Sequence, residues 1–406
     1  MRISTSMMFD TATQNMLQLQ TNVYKLQNQM STGRRILTPS DDPVAAAQAL
    51  EISQRQSMNT QFLDNQGNAA SQLSELESNL RTVSDLISNV MARAAEADNP
   101  NISDTSRQAI SFEVNENFAQ LLGLANGSDA LGQHIFAGLR GATTPFAVTG
   151  SPGNRTTSYH GDDGRRQLQV ETGRTMGVSE SGSDIFMRIP QGNGSFQFSA
   201  GAGNTGTGVI GTSSVISGYD DTTYQLAFTA PGVYDVYLNG SATPSLTGQT
   251  YTDGSDIVLG PAAQQIKIKI SGTPAAGDTF TVQPASNQDL FTTIDSMIKA
   301  LSANVTSTPA TQAAFKNQIT SIRQNLDQAY LHLITAQTSV GARRLELENL
   351  SIAGADRDLQ YQTDLGRLQD LDYTKAVSDM ANQKVVLEAA QLTFKQVSQM
   401  SLFNYL

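Results

Sequence analysis

The sequence contains no cysteine among its 406 residues, which excludes disulfide bonds, thiol nucleophiles and thiolate metal sites. Charge is also scarce, because only 16% of residues are Asp, Glu, Lys or Arg, against about 25% in typical globular proteins. The 37 acidic and 26 basic residues give a net charge of -11, which disfavours nucleic acid as a partner because that binding depends on Lys and Arg. The polar surface is therefore expected to be mostly neutral Gln, Asn, Ser and Thr.

Long apolar runs are absent as well. No stretch approaches the roughly 18 consecutive apolar residues that cross a bilayer, so we expect no membrane insertion. The first ten residues lack an apolar core followed by a small-residue cleavage site, so we expect no cleaved secretory signal. A chain of 406 residues is longer than one hydrophobic core usually spans, and two or three domains are expected.

Apolar residues in four segments recur at alternating spacings of three and four, which is the pattern of a coiled-coil seam. The N-terminal segment has Phe9, Ala12, Met16, Leu19, Val23, Leu26 and Met30. Two internal segments have Ala69, Leu73, Leu76, Leu80, Val83, Ile87, Val90 and Ala94, and then Phe315, Ile319, Ile322, Leu326, Ala329, Leu333, Ala336 and Val340. The C-terminal segment has Tyr373, Met380, Leu387 and Phe394 at seven-residue intervals, Ala376, Ala390 and Val397 between them, and Gln383 at an inward position.

Breaker residues separate these predicted helices. Asp42 can cap a helix that holds Pro43 in its first turn, and Thr308 with Pro309 repeats this signal. Asn99-Pro100 ends the second segment, and Ser103 or Asp104 can cap a shorter helix. That helix carries Ile110, Val114, Phe118 and Leu121.

The middle of the chain has a different pattern, with frequent Gly, Ser and Thr and short alternating runs. Alternation predicts half-buried antiparallel strands at 224–228, 233–237, 266–270 and 279–282, with turns at Asn239-Gly240 and Asp253-Gly254. An inserted domain must leave and return at nearly one place, so the flanking helices should run side by side. We therefore predict a multidomain α+β fold, a long antiparallel helical rod formed by both chain ends with an inserted antiparallel β domain.

Three parts are predicted within this fold. A terminal coiled-coil assembly domain comprises residues 1–42 and 365–406, and a helical rod domain comprises 43–144 and 286–364. The inserted β domain comprises 145–285.

Catalytic motifs are weak throughout the sequence. His134, His160 and His332 lie in no metal-ligand spacing; each could be a general base, but a lone histidine without a partner is the favoured interpretation. Residues 201–206 match the GxGxxG dinucleotide fingerprint, yet Thr207-Gly208 follows where a helix is required, so we reject that interpretation. We predict no catalytic, cofactor or metal residues, and an enzyme with its site in the β domain remains the alternative.

A possible cation site remains in the segment from His160 to Gly164. Asp162 and Asp163 lie there without the distal Glu of calcium loops, so a turn between strands is the favoured interpretation.

The terminal segments differ from the internal ones in their flanking residues. Between Thr11 and Ser31 the only charged residue is Lys25, and Gln and Asn fill the other faces. A soluble two-stranded coil usually carries Glu and Lys at those positions, so this composition favours a helix packed by several neighbours, with internal packing as the alternative. The predicted assembly interface consists of Phe9, Met16, Leu19, Val23, Leu26, Met30, Tyr373, Met380, Leu387, Phe394, Val397, Leu402 and Leu406.

Several motifs resemble the bacterial flagellin superfamily, and within it the proteins of the hook–filament junction. The N-terminal motifs are Met1-Arg-Ile-Ser-Thr5 and Gln29-Met-Ser-Thr-Gly-Arg-Arg-Ile-Leu-Thr-Pro-Ser-Asp-Asp-Pro-Val44. Further matches are Ile135-Phe-Ala-Gly138, Thr144-Pro-Phe146, Gly277-Asp-Thr-Phe280, Val340-Gly-Ala-Arg343 and Leu402-Phe-Asn-Tyr-Leu406. One departure is Arg344-Leu345, where the family commonly has a Leu-Asn pair.

The resemblance implies a structural adaptor of the extracellular bacterial flagellum. Such proteins bind an export chaperone, are secreted unfolded through the flagellar type III apparatus, and form a ring of copies between hook-associated protein 1 and flagellin. Their terminal helices pair into an inner coiled coil. Flagellin itself, the filament subunit, is the alternative, although Thr38-Pro39 and Asp42-Pro43-Val44 differ from its usual pattern.

Overall fold

The computed structural model describes residues 5–303, 305 and 308–399. Its helices are α1 (Thr5–Thr32), α2 (Pro43–Ala97), α3 (Asp104–Ala125), α4 (Leu290–Leu301), α5 (Pro309–Gln369) and α6 (Tyr373–Gln399), with a single π-helical turn at Ser183–Met187. None of the helices in the described part of the chain is both long and apolar enough to cross a membrane.

The strands all lie between α3 and α4 in the sequence. The first seven are β1 (Phe146–Thr149), β2 (Thr156–Tyr159), β3 (Gln167–Glu171), β4 (Arg174–Gly177), β5 (Ile189–Pro190), β6 (Phe196–Ala200) and β7 (Val209–Val215). The others are β8 (Tyr224–Ala230), β9 (Val233–Leu238), β10 (Leu246–Thr250), β11 (Asp256–Leu259), β12 (Ile266–Ser271), β13 (Thr279–Pro284) and β14 (Asn287–Gln288). The four strands predicted from alternation are confirmed as β8, β9, β12 and β13.

The predicted helix starts are confirmed by side chains that accept hydrogen bonds from the first free backbone amides. Asp42 Oδ1 accepts from the Ala45 amide at 3.0 Å, next to Pro43 in the first turn of α2. Ser103 Oγ accepts from the Ser106 amide at 3.1 Å, which makes Ser103 the cap of α3.

Two compact units make up the chain: residues up to 65 together with those from 349, and residues 66–348. In the first unit α1 and α6 are antiparallel, because Phe9 lies against Phe394 with ring centroids 5.7 Å apart and Tyr373 Oη donates to the Met30 carbonyl at 3.1 Å. The α2 and α5 segments of this unit are also antiparallel. Asn59 Nδ2 donates to the Gly354 carbonyl at 2.8 Å, and Gln56 Nε2 donates to Asp358 Oδ1 at 3.1 Å.

The second unit buries the two internal seams predicted from the sequence. All eight residues from Ala69 to Ala94 are buried, and so are those of the α5 seam except the half-buried Ala336. Gln337 Nε2 donates to Ser84 Oγ at 2.7 Å and Arg344 forms an ion pair with Glu77, so α2 and α5 run antiparallel here too. The four predicted apolar residues of α3 are also buried.

Two antiparallel sheets share one core in the β insert. A five-stranded sheet has the order β10-β9-β8-β13-β6, and a three-stranded sheet has the order β11-β12-β7. Residues of β6 to β9 and β11 to β13 form their common cluster, with Phe198, Leu226, Ile268 and Phe280 fully buried. The α+β class with an inserted antiparallel β domain is therefore confirmed, whereas the three-part division at residues 42, 144, 285 and 365 stays a prediction.

The shorter strands pair in three hairpin-like sheets, β1-β2, β3-β4 and β14-β5. Phe146 of β1 packs against Phe186 and Phe291, with ring centroids 5.5 and 5.1 Å away. Phe118 of α3 completes this aromatic cluster, 5.9 Å from Phe291. The beginning of the predicted β segment thus packs on helices rather than on the two larger sheets.

Two asparagines of α5 bind the backbone of the β insert, at the start of β7 and in the loop between β5 and β6. Asn317 donates to the Gly208 carbonyl at 2.9 Å and accepts from the Ile210 amide at 2.7 Å. Asn325 accepts from the Gly192 amide at 2.9 Å. Both side chains are buried, and both contact backbone atoms of the insert.

We predict that Phe291→Ala destabilises the second unit by about 3–5 kcal/mol, because the removed ring leaves a cavity among Phe118, Phe146 and Phe186. Urea unfolding measures the effect. The matched control is Phe112→Ala on α3, where the ring is 74% exposed and should contribute little. Equal losses in the two variants would contradict the assigned core.

Candidate assembly interface

The three histidines make structural hydrogen bonds in the folded chain. His134 Nδ1 lies 2.7 Å from the Asn126 carbonyl oxygen, and His332 Nε2 lies 2.6 Å from that of Asp184. A ring nitrogen bonded to a carbonyl must carry the proton and donate it. His160 is exposed and contacts Ser158 Oγ at 3.1 Å.

The Asp162-Asp163 segment shapes a loop. Asp162 Oδ1 accepts from the amides of Leu139 at 3.0 Å and Gly164 at 2.7 Å. Asp163 forms an ion pair with Arg188 at 2.6 Å, and the hydrogen bond from Arg188 lowers the pKa of Asp163. Among the described residues no group of three or more His, Asp or Glu side chains is arranged to hold a metal ion.

The GxGxxG segment, residues 201–206, encloses a carboxylate of the chain itself. Asp278 is 1% exposed, and its oxygens accept from the amides of Thr205 at 2.7 Å, Gly206 at 3.1 Å and Ala275 at 2.8 Å. A Cβ at Gly206 would lie 2.3 Å from the Ala275 nitrogen, so glycine is required at this close approach. Strand β7 follows the segment, where the dinucleotide fingerprint requires a helix.

We predict that Asp278→Asn destabilises the β insert by about 2 kcal/mol, because an amide group replaces a charged acceptor facing several backbone N–H groups. Thermal unfolding measures the loss. The control is Asp221→Asn, an exposed position with φ 58° that asparagine tolerates. An unchanged unfolding temperature for Asp278→Asn would show that the hydrogen bonds to the Asp278 carboxylate contribute nothing to stability.

The segment after α1 pairs with the segment between α5 and α6 through backbone hydrogen bonds. The Arg35 amide donates to the Gln369 carbonyl at 2.7 Å, and the Leu371 amide donates to the Gly33 carbonyl at 2.9 Å. Gly33 has φ +72°, a left-handed conformation that favours glycine. The motif from Gln29 to Val44 therefore fastens the two ends of the chain to each other.

Asp41 and Asp42 fix the turn into α2. Asp41 Oδ2 accepts from the Leu37 and Thr38 amides, both at 3.0 Å, and its Oδ1 lies 2.6 Å from Lys25 Nζ. The hydrogen bond from Lys25, followed by that from the Thr38 amide, holds the pKa of Asp41 well below its usual range. The pKa of Asp42 is lowered chiefly by the Ala45 amide and then by Arg35.

We predict that Lys25→Met raises the pKa of Asp41 towards its usual value, as measured by NMR titration of the carboxyl carbon. The pKa of this carboxylate is depressed in the folded chain. Its stabilising contribution is therefore present above the usual Asp pKa and is lost as pH falls through the lower, folded value. The control Lys384→Met on α6 should leave the titration unchanged, and an unshifted Asp41 in Lys25→Met would refute the assigned contact.

The terminal seams pack against each other within one chain. On α1 the predicted residues Phe9, Met16, Leu19, Val23, Leu26 and Met30 are all half-buried. On α6 Met380, Leu387 and Phe394 are half-buried, whereas Tyr373 and Val397 are exposed. Leu402 and Leu406 lie outside the described residues. The structure therefore brings nine of the thirteen predicted residues together as one half-covered stripe.

Further apolar residues point away from this stripe, and sequence periodicity did not single them out. They are Met7, Met8, Leu17 and Tyr24 on α1, and Val377, Val385, Val386 and Leu392 on α6, each at least half exposed. A signal was available in the sequence, because these apolar residues lie off the seven-residue repeat of their helices. A helix that is apolar on several faces is typical of one buried by several neighbours.

Residues 3–140 match the family model described as the bacterial flagellin N-terminal helical region. Flagellar hook-associated protein 3 of Salmonella typhimurium is 26% identical over 404 residues, covering 100% of this chain and 99% of that protein. The crystal structure of FlgL from Xanthomonas campestris is 32% identical, covers 78% of this chain and 99% of that one, and superposes with a TM-score of 0.70. The chain belongs to the FlgL family, that of flagellar hook-associated protein 3.

A second FlgL structure agrees with this assignment. The flagellar junction protein FlgL from Legionella pneumophila is 27% identical, covers 80% of this chain and 100% of that one, and has a TM-score of 0.69. The FlgL family is a family of structural flagellar proteins, and the alternative of a filament-forming flagellin is not favoured.

Proposed function

We propose that this chain is a structural adaptor that joins the hook-associated zone of the flagellum to the flagellin filament, and that it has no catalytic activity. Membership of the FlgL family supports this, and so does the construction of the terminal helices. The observation that carries the proposal is the α1–α6 pair. It has one half-covered apolar stripe and exposed apolar residues on its other faces.

The physical argument concerns burial. In a pair of helices, each helix buries only one apolar stripe of the other. Leu17 and Tyr24 of α1 and Val385 of α6 therefore remain exposed to solvent in the isolated chain. Burying each such side chain contributes about 1.5–3 kcal/mol. Contacts with neighbouring subunits supply that burial, and residues 1–42 with 365–406 act as the assembly domain.

We further propose the partners of this domain. Copies of the chain contact one another in a ring through the outer faces of α1 and α6, with hook-associated protein 1 on one side and flagellin on the other. Before assembly the chain is held by a flagellar export chaperone and is secreted through the flagellar export apparatus. The low charge of α1, where Lys25 is the only charged residue between 11 and 31, supports close packing of copies along that helix, because like charges would repel.

We predict that Leu387→Asp abolishes assembly while the second unit remains folded. Leu387 lies half-buried in the seam of α6, and an unpaired charge there costs several kcal/mol. Cells carrying the variant should export it, lack filaments and release flagellin into the medium, as scored by electron microscopy and immunoblotting.

The control for this experiment is His160→Ala, which removes an exposed side chain of the β insert and should leave filaments unchanged. If His160→Ala abolishes filaments while Leu387→Asp is tolerated, the adaptor proposal is wrong and a site in the β insert must be sought.

A further inference from the structure

The tripeptide Asn-Gly-Ser occurs three times in the chain, at 126–128, 193–195 and 239–241. An asparagine before glycine can cyclise, because the following backbone nitrogen attacks the side-chain carbonyl carbon and glycine has no Cβ to obstruct the approach. The residues that follow the asparagine dominate the intrinsic rate of this reaction, and they are the same at all three positions. Differences among the three rates in the folded chain therefore come from the fold.

The first of these asparagines is held at both ends of its amide. Asn126 Oδ1 accepts from the Phe146 amide at 2.8 Å, and Asn126 Nδ2 donates to the Phe146 carbonyl at 3.0 Å. The attacking nitrogen would be that of Gly127, which donates to the Leu124 carbonyl at 3.1 Å. These hydrogen bonds must break before the nitrogen reaches the carbonyl carbon, so the fold protects Asn126.

The second asparagine is held in a similar way. Asn193 Oδ1 accepts from the Ser195 amide at 3.0 Å and from the Phe196 amide at 2.9 Å. The Gly194 amide donates to the Gln191 carbonyl at 3.1 Å. Both the carbonyl group and the attacking nitrogen are thus engaged, and the fold protects Asn193 as well.

The third asparagine lies in the exposed turn after β9 and is held much less. Asn239 Oδ1 accepts one hydrogen bond, from the Thr223 amide at 2.9 Å. Within the described part of the chain, neither Asn239 Nδ2 nor the Gly240 amide has a hydrogen-bond partner. No atom lies within 4 Å of the place that a Cβ on Gly240 would take, so this peptide group has room to turn. The donor at Oδ1 also favours attack, because it stabilises the negative charge that develops on that oxygen.

We propose that Asn239 is a modification site, at which the folded chain cyclises and is then hydrolysed. The Gly240 nitrogen forms a bond to Asn239 Cγ, and the Cγ–Nδ2 bond breaks. The proton of the Gly240 amide passes through water to the departing nitrogen, which leaves as ammonia. Water then opens the imide ring at either carbonyl and yields aspartate or isoaspartate. Water is the only co-reactant, and the reaction does not depend on the proposed adaptor role.

The two products have different effects on the β insert. Aspartate keeps an oxygen that can accept from the Thr223 amide. Isoaspartate carries the main chain through the former side chain and adds a methylene group to it, so the contacts of residue 239 with Thr223 are lost. Those contacts include the donation from the Asn239 amide to the Thr223 carbonyl at 2.8 Å, next to the start of β8 at Tyr224. Either product adds one negative charge to a chain of net charge -11.

The first arm of the test incubates the full-length folded chain in mildly alkaline buffer and maps its peptides by mass spectrometry. Asn239 should convert about tenfold faster than Asn126 and Asn193, since fewer hydrogen bonds hold it. The matched control is the same chain in urea, where the three identical tripeptides should react at equal rates. An Asn239 that reacts no faster than the others in the folded chain overturns the proposal, and so does a difference that persists unchanged in urea.

The second arm measures amide hydrogen exchange at Thr223 in the incubated chain. Exchange in the isoaspartate product should be about tenfold faster than in fresh protein, because the acceptor and donor at residue 239 have moved. Asn239→Asp is incubated in parallel as the control. It keeps the acceptor and cyclises more slowly, since a carboxyl group must lose water instead of ammonia, so its Thr223 exchange should stay at the fresh value. Unchanged Thr223 exchange in chains that carry isoaspartate overturns the assigned effect on the insert.

Discussion

The pairing of the two chain ends is the constraint on which the first unit depends. Backbone hydrogen bonds join Arg35 to Gln369 and Leu371 to Gly33, so the turn after α1 and the turn before α6 are held as one connection. Because both turns are fixed, α1 and α6 extend to the same side of this connection and pack side by side as an antiparallel pair. The contact of Phe9 with Phe394 then follows from the nearly equal lengths of α1 and α6, 28 and 27 residues, and the half-covered stripe follows with it.

Backbone amides hold several acidic groups of this chain, in some cases together with an opposite charge such as Lys25 at Asp41. Asp41, Asp162 and Asp278 each accept hydrogen bonds from two or more backbone N–H groups. Such carboxylates hold turns in a defined shape, since an ionised oxygen forms stronger hydrogen bonds than a neutral one. Because Lys and Arg are fewer than Asp and Glu in the sequence, backbone N–H groups stabilise part of the negative charge. The GxGxxG segment is one example, because the amides of Thr205 and Gly206 donate to Asp278 of the chain itself.

Sequence periodicity predicted the helices and their buried faces well. The residues from Ala69 to Ala94 became core because the spacing of three and four leaves one continuous stripe, and α5 supplies the matching stripe. The position of Phe146 was not predictable, because it depends on a long-range contact with Phe291 that no local pattern encodes. The same holds for the contact of Asp278 with the Thr205 and Gly206 amides, which lie more than seventy residues away in the sequence. On the terminal helices the repeat identified the stripe within the chain, whereas Leu17 and Val385 were missed because they lie off that repeat.

The attachment of the β insert has a consequence for how this chain can vary. Asn317 and Asn325 hold the insert through the carbonyl of Gly208 and the amides of Ile210 and Gly192, which are groups that every residue other than proline provides. Asn317 and Asn325 therefore bind backbone atoms of these segments and not their side chains. Gly192 and Gly208 are exceptions, since a Cβ there would lie 2.3 Å from the Phe196 carbonyl oxygen and 2.7 Å from the Phe280 ring. Exchanges elsewhere in these segments that keep the backbone path should leave both asparagine contacts intact.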